Sequence, residues 1–296
     1  LAEVVFIDGT VYAASDFGEF DSDSPNIWIP IDVSGLTFGT NGYYLDFEDS
    51  ANLGNDANGG TDFTETNLAA ADSSTDTPTN NFCTINPLDN YYQAATFSEG
   101  NCKVVTGTTP YSYNTSTIGL SKGKWYYEQK VEETCSYDIA GIVPYPSQST
   151  DHWVGYYTNS YGYRGDRGTI YTGNSEGGSY GATYTTSIIG VYIDLDNNKL
   201  YFSKDGTLQN SGTGNSITAA ASTRDGVYFA GLGDYQNTSD TATYALNFGG
   251  CPAFTISSGN TDDNGYGNFE YSPNITGDGS AKSFYAICTK NLAEFG

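Results

Sequence analysis

Apolar and polar positions alternate with a period of two along much of the chain, and almost nowhere with the period of a helix. The clearest run places Ile189, Val191, Ile193 and Leu195 on one face and Tyr192, Asp194 and Asp196 on the other. That pattern predicts a half-buried antiparallel strand. Asn197-Asn198 follows, two residues that tolerate positive φ, so a tight hairpin is expected, with Leu200 and Phe202 continuing the apolar face on the return strand. Asp205-Gly206 predicts the next turn, and Ala242, Tyr244, Leu246 and Phe248 form another alternating run. The best helix candidate, Asn67 to Ala71, is too short to hold a helix unaided.

Three zones follow from this pattern: residues 1–40, a Gly/Asn/Asp/Thr-rich stretch from about 41 to 90, and a dense strand region from about 91 to 250. Residues 1–40 hold short strands at Glu3–Ile7 and Ile27–Ile31 around an acidic patch at Phe17–Ser24. So small a zone is expected to be an appendage packed on the main domain or on another subunit. Residues 41–296 are expected to form the main domain, with a strand at Tyr43–Phe47, a dense strand region over 91–250 and a late strand near Phe284–Cys288. A late strand after a long loop often pairs with an early one, so Tyr43–Phe47 is expected beside Phe284–Cys288.

Composition narrows the class. Aromatic residues make up 15% of the chain, with 26 Tyr, and 35 Asp and Glu stand against 11 Lys and Arg, a formal charge of −24. Such a surface repels phosphate backbones and anionic lipid, which argues against nucleic-acid and membrane partners. No apolar run reaches the ~18 residues of a membrane span. The aromatic and β-branched content is too high for a disordered chain. Leu1 is not a translation start and no signal peptide is visible, so a processed product or part of something longer is expected. The five cysteines, Cys83, Cys102, Cys135, Cys251 and Cys288, are widely spaced, which argues against a zinc site. Buried thiols and a single disulfide both remain open.

Six motifs then make a resemblance legible. Gly123-Lys124-Trp125-Tyr126-Tyr127-Glu128, Val154-Gly155-Tyr156, Gly162–Gly168 with Tyr180-Gly181, Ile189–Asp196, Leu200–Gly206 and Leu246–Gly249 resemble, in order, the strand motifs of SPRY domains. The flanks Phe38–Phe47, Asp76–Phe82 and Cys288–Leu292 resemble those of SPRY-containing virion proteins of tailed bacteriophages. Two departures stand out: Gln129 where the SPRY strand usually carries an apolar core residue, and about 20 extra residues over Thr255–Gly277. The resemblance implies an all-β fold, an antiparallel two-sheet sandwich of the SPRY, concanavalin-like jelly-roll kind with a small N-terminal β appendage. It also implies a binding module that presents loops at one edge.

The residues offer little for catalysis. Gly173-x-Ser175-x-Gly177 matches a nucleophile elbow, but Gly178–Gly181 is a poor helix start, so a loop is expected. His152 is the sole histidine, and Asp151-His152-Trp153 is expected to enter a strand. Asp194 with Asp196, and Glu128 with Glu132, read as solvated strand faces rather than a glycosidase pair. Asp194-x-Asp196-x-Asn198 lacks the Gly and Glu of a calcium loop. No cofactor is indicated by a motif; calcium stays open, because Asp21, Asp23, Asp56, Asp262 and Asp263 sit in loops rich in oxygen donors. Arg164-Gly165-Asp166 reads as a chance tripeptide, and the sequons at Asn114, Asn237 and Asn274 matter only in a eukaryotic secretory host.

The best binding candidate is the cluster Trp153, Tyr156, Tyr157, Tyr161, Tyr163, Arg164 and Arg167. Tyr and Trp offer flat apolar faces with a polar handle, and Arg a forked donor. Alternation puts Tyr156 and Trp153 on opposite faces, so part of the set must be core, with ligand contact concentrated in Tyr161, Tyr163 and Arg164. The expectation is a non-enzymatic virion structural protein at the extracellular particle surface, from a tail fibre, tail or capsid. It would be homo-oligomeric, associate with other virion proteins and touch a host-surface polysaccharide or receptor. The alternatives are a secreted or cell-surface carbohydrate-binding adhesin and, weakest, a polysaccharide depolymerase.

Overall fold

The computed structural model describes residues 3–22, 25–90, 95–107, 111–133, 137–146, 152–235 and 241–296. Asp23, Cys135, Asp151 and Asn237 lie outside the described residues. The chain divides into two compact units, Leu1–Asn81 and Phe82–Gly296.

The first unit holds four three-residue strands: β1 (Val4–Phe6), β2 (Gly18–Phe20), β3 (Trp28–Pro30) and β4 (Tyr43–Leu45). β1 pairs with β4 and β2 with β3, both antiparallel. The pairing of β1 with β4 joins the two sides of residue 40, so the division between units falls about forty residues later than expected.

The second unit carries the sandwich. Its strands are β5 (Thr96–Ser98), β6 (Lys103–Val105), β7 (Ser112–Thr115), β8 (Lys124–Glu133), β9 (Asp138–Val143), β10 (Tyr161–Arg164), β11 (Thr169–Thr172), β12 (Ser175–Ser179), β13 (Ile188–Asp194), β14 (Lys199–Lys204), β15 (Thr207–Leu208), β16 (Asn215–Ser216), β17 (Phe229–Asp234), β18 (Thr243–Asn247), β19 (Asn274–Gly277), β20 (Ser280–Ser283) and β21 (Tyr285–Ala286). A short helix, α1 (Thr289–Phe295), was not foreseen from the pattern. One sheet runs β12-β11-β10-β9-β17-β7. The other runs β15-β14-β13-β8-β18-β6-β5, with β16 against β14 and β21 against β8. The predicted β13–β14 hairpin is present, with Asn198 at φ 54° and the next turn through Asp205 at φ 46°. The expected pairing of Tyr43–Phe47 with Phe284–Cys288 is replaced by others: β4 pairs with β1, and β21 lies parallel to Trp125 and Tyr126 of β8.

Between the sheets lies the main core, which includes Trp125, Tyr127, Val191, Ile193, Phe202, Tyr244 and Phe248. β13 is buried on both faces, not half-buried. The reason is the extra segment beyond residue 255. Phe269, Phe284, Ala286 and Cys288 pack on Tyr126, Tyr192 and Tyr201, covering the outer face of the nine-stranded sheet. This cover overturns the expectation of solvated carboxylates. Glu128 and Asp194 are fully buried, while Glu132 pairs with Lys103 at 2.7 Å. Glu128 accepts hydrogen bonds from the Tyr126 hydroxyl (3.0 Å), Asn247 Nδ2 (2.9 Å) and the backbone N–H groups of Glu270 (3.1 Å) and Tyr271 (2.8 Å). It thereby pins the cover to the sheet.

The tyrosine content is first a core property. Tyr126, Tyr127, Tyr163, Tyr192, Tyr201, Tyr228 and Tyr244 are fully buried. Their hydroxyls reach across layers: Tyr127 donates to Gly141 O (2.6 Å), and Tyr244 to Asp138 Oδ1 and Gly233 O (2.9 Å each). A buried hydroxyl needs such a partner. Gln129 is less well served. Its Nε2 makes a long 3.3 Å bond to Ile139 O and its buried Oε1 has no partner among the described residues. Cys83, Cys102 and Cys288 take buried positions.

Candidate functional site

The outer face of the six-stranded sheet is shaped by glycines. Gly162, Gly141 and Gly231 align across β10, β9 and β17. A Cβ at Gly162 would stand 2.9 Å from Val154 O, and one at Gly231 2.9 Å from Val143 Cγ1. The missing side chains leave a trough, and Val154 lies in it. Gly155 then turns the chain at φ 101°, a left-handed conformation that favours glycine.

That turn brings Trp153, Tyr156 and Tyr157 together. They are not on a strand, so the alternation that set Trp153 and Tyr156 on opposite faces does not apply: their rings meet edge to face with centroids 4.8 Å apart. Buried Trp153 also meets Tyr111 (4.8 Å) and Tyr235 (4.7 Å), and its Nε1 finds no hydrogen-bond partner among the described residues. His152 stacks on Tyr156 at 3.9 Å and its Nδ1 bonds the Tyr157 hydroxyl. Tyr157 packs against Tyr145 (4.7 Å), over which Arg224 lies at 3.9 Å. Arg224 is exposed and paired with Asp225 at 2.7 Å.

Arg164 points outward from β10 yet is only 2% exposed. Asp166 holds it bidentately, at 2.6 and 2.9 Å, and its guanidinium lies 4.5 Å from the Tyr235 ring centre and 5.3 Å from that of Tyr137. The Arg164-Gly165-Asp166 tripeptide is thus closed on itself. Arg167 pairs with Glu176 at 2.7 Å.

Tyr161 and Tyr163 do not belong to this face. As alternating neighbours of Gly162 and Arg164 they point into the inter-sheet core. Tyr161 bonds the Thr218 backbone N–H, and Tyr163 donates to Ala182 O. Burial pushes the Tyr163 hydroxyl up to about 12. Both pack in the core between the sheets. Of the five expected site residues, Trp153, Tyr157 and Arg164 meet on one surface. Tyr111, Tyr145, Tyr235 and Arg224 join them, and their spacing in sequence held no sign of it.

Other candidates are absorbed into structure. Ser175 lies on the exposed edge strand β12, not in a loop, and a strand rather than a helix continues from it. Asp262 accepts bonds from the N–H groups of Asn264, Tyr266 and Ala286 and from Asn291. Asp56 accepts from the N–H groups of Tyr44 and Asn58. Among the described residues no three His, Cys, Asp or Glu side chains gather as metal ligands would. What the tyrosine face offers is ring area, hydroxyls at the rim and the exposed guanidinium of Arg224, a combination suited to recognition.

Residues 124–229, within the antiparallel β-sandwich of the second unit, match the family model for the SPRY domain. No curated protein matches the chain. Among solved structures, the SPRY domain of human HERC1 is 15% identical, covering 55% of this chain and 96% of its own, with a TM-score of 0.42. A second human SPRY domain is 19% identical, covering 51% and 93%, with a TM-score of 0.41. Stonustoxin is 17% identical, covering 56% of this chain and 27% of its own, with a TM-score of 0.41.

Proposed function

We propose that this chain is a non-enzymatic recognition module at the surface of a virion, and that its tyrosine face docks on another protein of the particle or host. The observation that carries the reading is the gathering of Tyr111, Tyr145, Tyr156, Tyr157 and Tyr235, all partly buried, around Trp153 and Arg164. Trp, Tyr and Arg dominate the energetic centres of protein interfaces. The SPRY match supports a binding role, and the use of Glu128, Asp262 and Asp56 as hydrogen-bond acceptors for backbone supports a non-catalytic one. The particle surface is supported by the flanking motifs alone, Phe38–Phe47, Asp76–Phe82 and Cys288–Leu292.

An antibody against residues 91–250, used for immunogold electron microscopy on particles and host cells, tests it. Label on tail, fibre or capsid is expected. Label on cells without particles would replace the reading with a cell-surface adhesin. Where particles are labelled, Tyr156→Ser with Tyr157→Ser is expected to weaken attachment to particle or host at least tenfold while far-ultraviolet circular dichroism shows the sandwich still folded. Unchanged attachment would remove the tyrosine face from the reading.

A further inference from the structure

The nine-stranded sheet carries a separate feature that shares no residue with the tyrosine face. A cavity of about 440 Å³ opens where the start of β8, the turn after β13 and the β20–β21 segment meet. Its volume falls within the ~300–1,000 Å³ of small-ligand sites. Lys124, Asp196, Lys282, Ser283, Tyr285 and Phe295 are among the residues that line it. Lys124 and Lys282 stand against Asp196 and Asp194, so cations balance anions here in a chain with 35 acidic residues against 11 basic ones.

The two lysines differ in how well they are matched. Lys124 bonds Asp196 Oδ2 at 3.0 Å, and Asp196 Oδ1 accepts the Gly123 N–H at 2.9 Å. Lys282 is less well matched, and its ammonium lies 5.9 Å from the Tyr201 ring centre. Its ion-pair partner, Asp194 Oδ2, stands 3.7 Å away, beyond hydrogen-bond range. Asp194 Oδ1 accepts from the Asn197 N–H and Nδ2, at 3.0 Å each, and Oδ2 from the same Nδ2 at 2.9 Å. The Lys282 side chain is only 13% exposed. An ammonium has three donors, and one drawn largely out of water needs acceptors for them. Tyr285 stacks on Phe295 with centroids 4.0 Å apart, forming an apolar wall beside these cations.

We infer that this cavity binds an acidic monosaccharide unit, with its carboxylate on Lys282 and Lys124 and its ring against Tyr285. The donors supply charge-assisted bonds to a carboxylate, and the aromatic wall suits the apolar face of a sugar ring. The inference goes beyond the role proposed above and does not depend on where the chain is mounted.

The test is a ligand-observed NMR titration of the whole chain with glucuronate, with glucose as the neutral match and acetate as the bare carboxylate. Saturable glucuronate binding with a millimolar Kd is expected, with glucose and acetate each at least about tenfold weaker. Lys282→Gln is expected to weaken glucuronate about tenfold. Lys124→Gln, at a more exposed position, should weaken it severalfold, with the near-ultraviolet circular dichroism of both variants unchanged. Absence of saturable binding overturns the inference. So does acetate or glucose binding as tightly as glucuronate, or folded Lys282→Gln and Lys124→Gln variants that both bind like the parent.

Discussion

The two units of this chain reach an ordered state by different means. Leu1–Asn81 contains 15 acidic residues and no Lys or Arg, and its strands are three residues long. Its buried apolar side chains are Val33, Phe38 and Leu53, while Phe6, Phe20, Trp28, Phe63 and Leu68 are exposed. Instead of long ladders, carboxylates hold its backbone: Asp16, Asp32, Asp8, Asp56, Asp46, Asp49, Glu65, Asp62 and Asp72 accept from main-chain N–H groups. Phe82–Gly296 does the reverse. Its N–H groups go into sheet ladders, and its stability comes from apolar area removed from water. The lesson is that backbone hydrogen bonds must be satisfied everywhere, but a loop-built unit meets that need with charge and a sandwich meets it with pairing.

Substitutions and solution conditions should separate the two. The largest effect is expected from Phe202→Ala, which empties a fully buried position between the sheets and should cost about 3–5 kcal/mol. Urea unfolding followed by Trp125 and Trp153 fluorescence in a Trp28→Phe background reads the second unit alone. A midpoint close to that of the parent would break the assignment of its stability to the core.

Next comes pH. Burial pushes the Asp234 carboxyl, beside Ser112 and Asp138, up to about 7. A raised folded value means the folded state holds a proton that the unfolded chain releases near pH 4. Its contribution is therefore full below pH 4, declines as pH rises to 7 and is gone above that, by as much as ~4 kcal/mol. Asp234→Asn should flatten this fall in unfolding midpoints taken from pH 5 to 8. In the first unit the sign is opposite. Hydrogen bonds from Ser34 lower the Asp32 pKa, and those from Asp56 N–H and Asn52 lower the Asp62 pKa. Their support is present above the ordinary carboxylate range and lost as pH falls through it, so amide exchange in residues 30–65 should accelerate below pH 4.

A smaller loss, about 1–2 kcal/mol, is expected for Asp56→Ala, which strips an acceptor from the Tyr44 and Asn58 N–H groups. Hydrogen exchange at those two amides checks it directly. The smallest effect is that of salt. Raising sodium chloride from 0.02 to 0.5 M should slow exchange in the first unit by screening its unopposed carboxylates, and change the second unit less.

The inter-sheet layer was legible in the sequence because period-two alternation encodes one buried face. Ile189, Val191 and Ile193 point where the pattern puts them, and the turns at Asn198 and Asp205 follow from residue type alone. The covers were not legible. Tyr126, Tyr192 and Tyr201 look amphipathic in isolation, and only the distant Phe269 and Phe284 make their face a core. Glu128 resembles a solvated carboxylate until its partners at Asn247, Glu270 and Tyr271 arrive from more than a hundred residues away. The candidate site failed in the same way. Reading residues 153–157 as a strand scattered rings that the Gly155 turn collects, and Tyr161 and Tyr163 drew attention through their side chains while the neighbouring glycine did the shaping. Local pattern reports which face is apolar; it does not report what will cover it.

The parallel seat of β21 on β8 has a consequence for how the chain is made. Tyr126, Tyr192 and Tyr201 leave the ribosome well before Phe284 and Ala286, which complete their burial. The interval between Tyr201 and Ala286 lasts roughly 4–17 s at ~5–20 residues per second. For that time the nascent sandwich presents an incompletely covered aromatic face to solvent. Translation speed over residues 202–286, and the chaperones that meet the chain there, therefore bear on the yield of folded protein as directly as any side chain in its core.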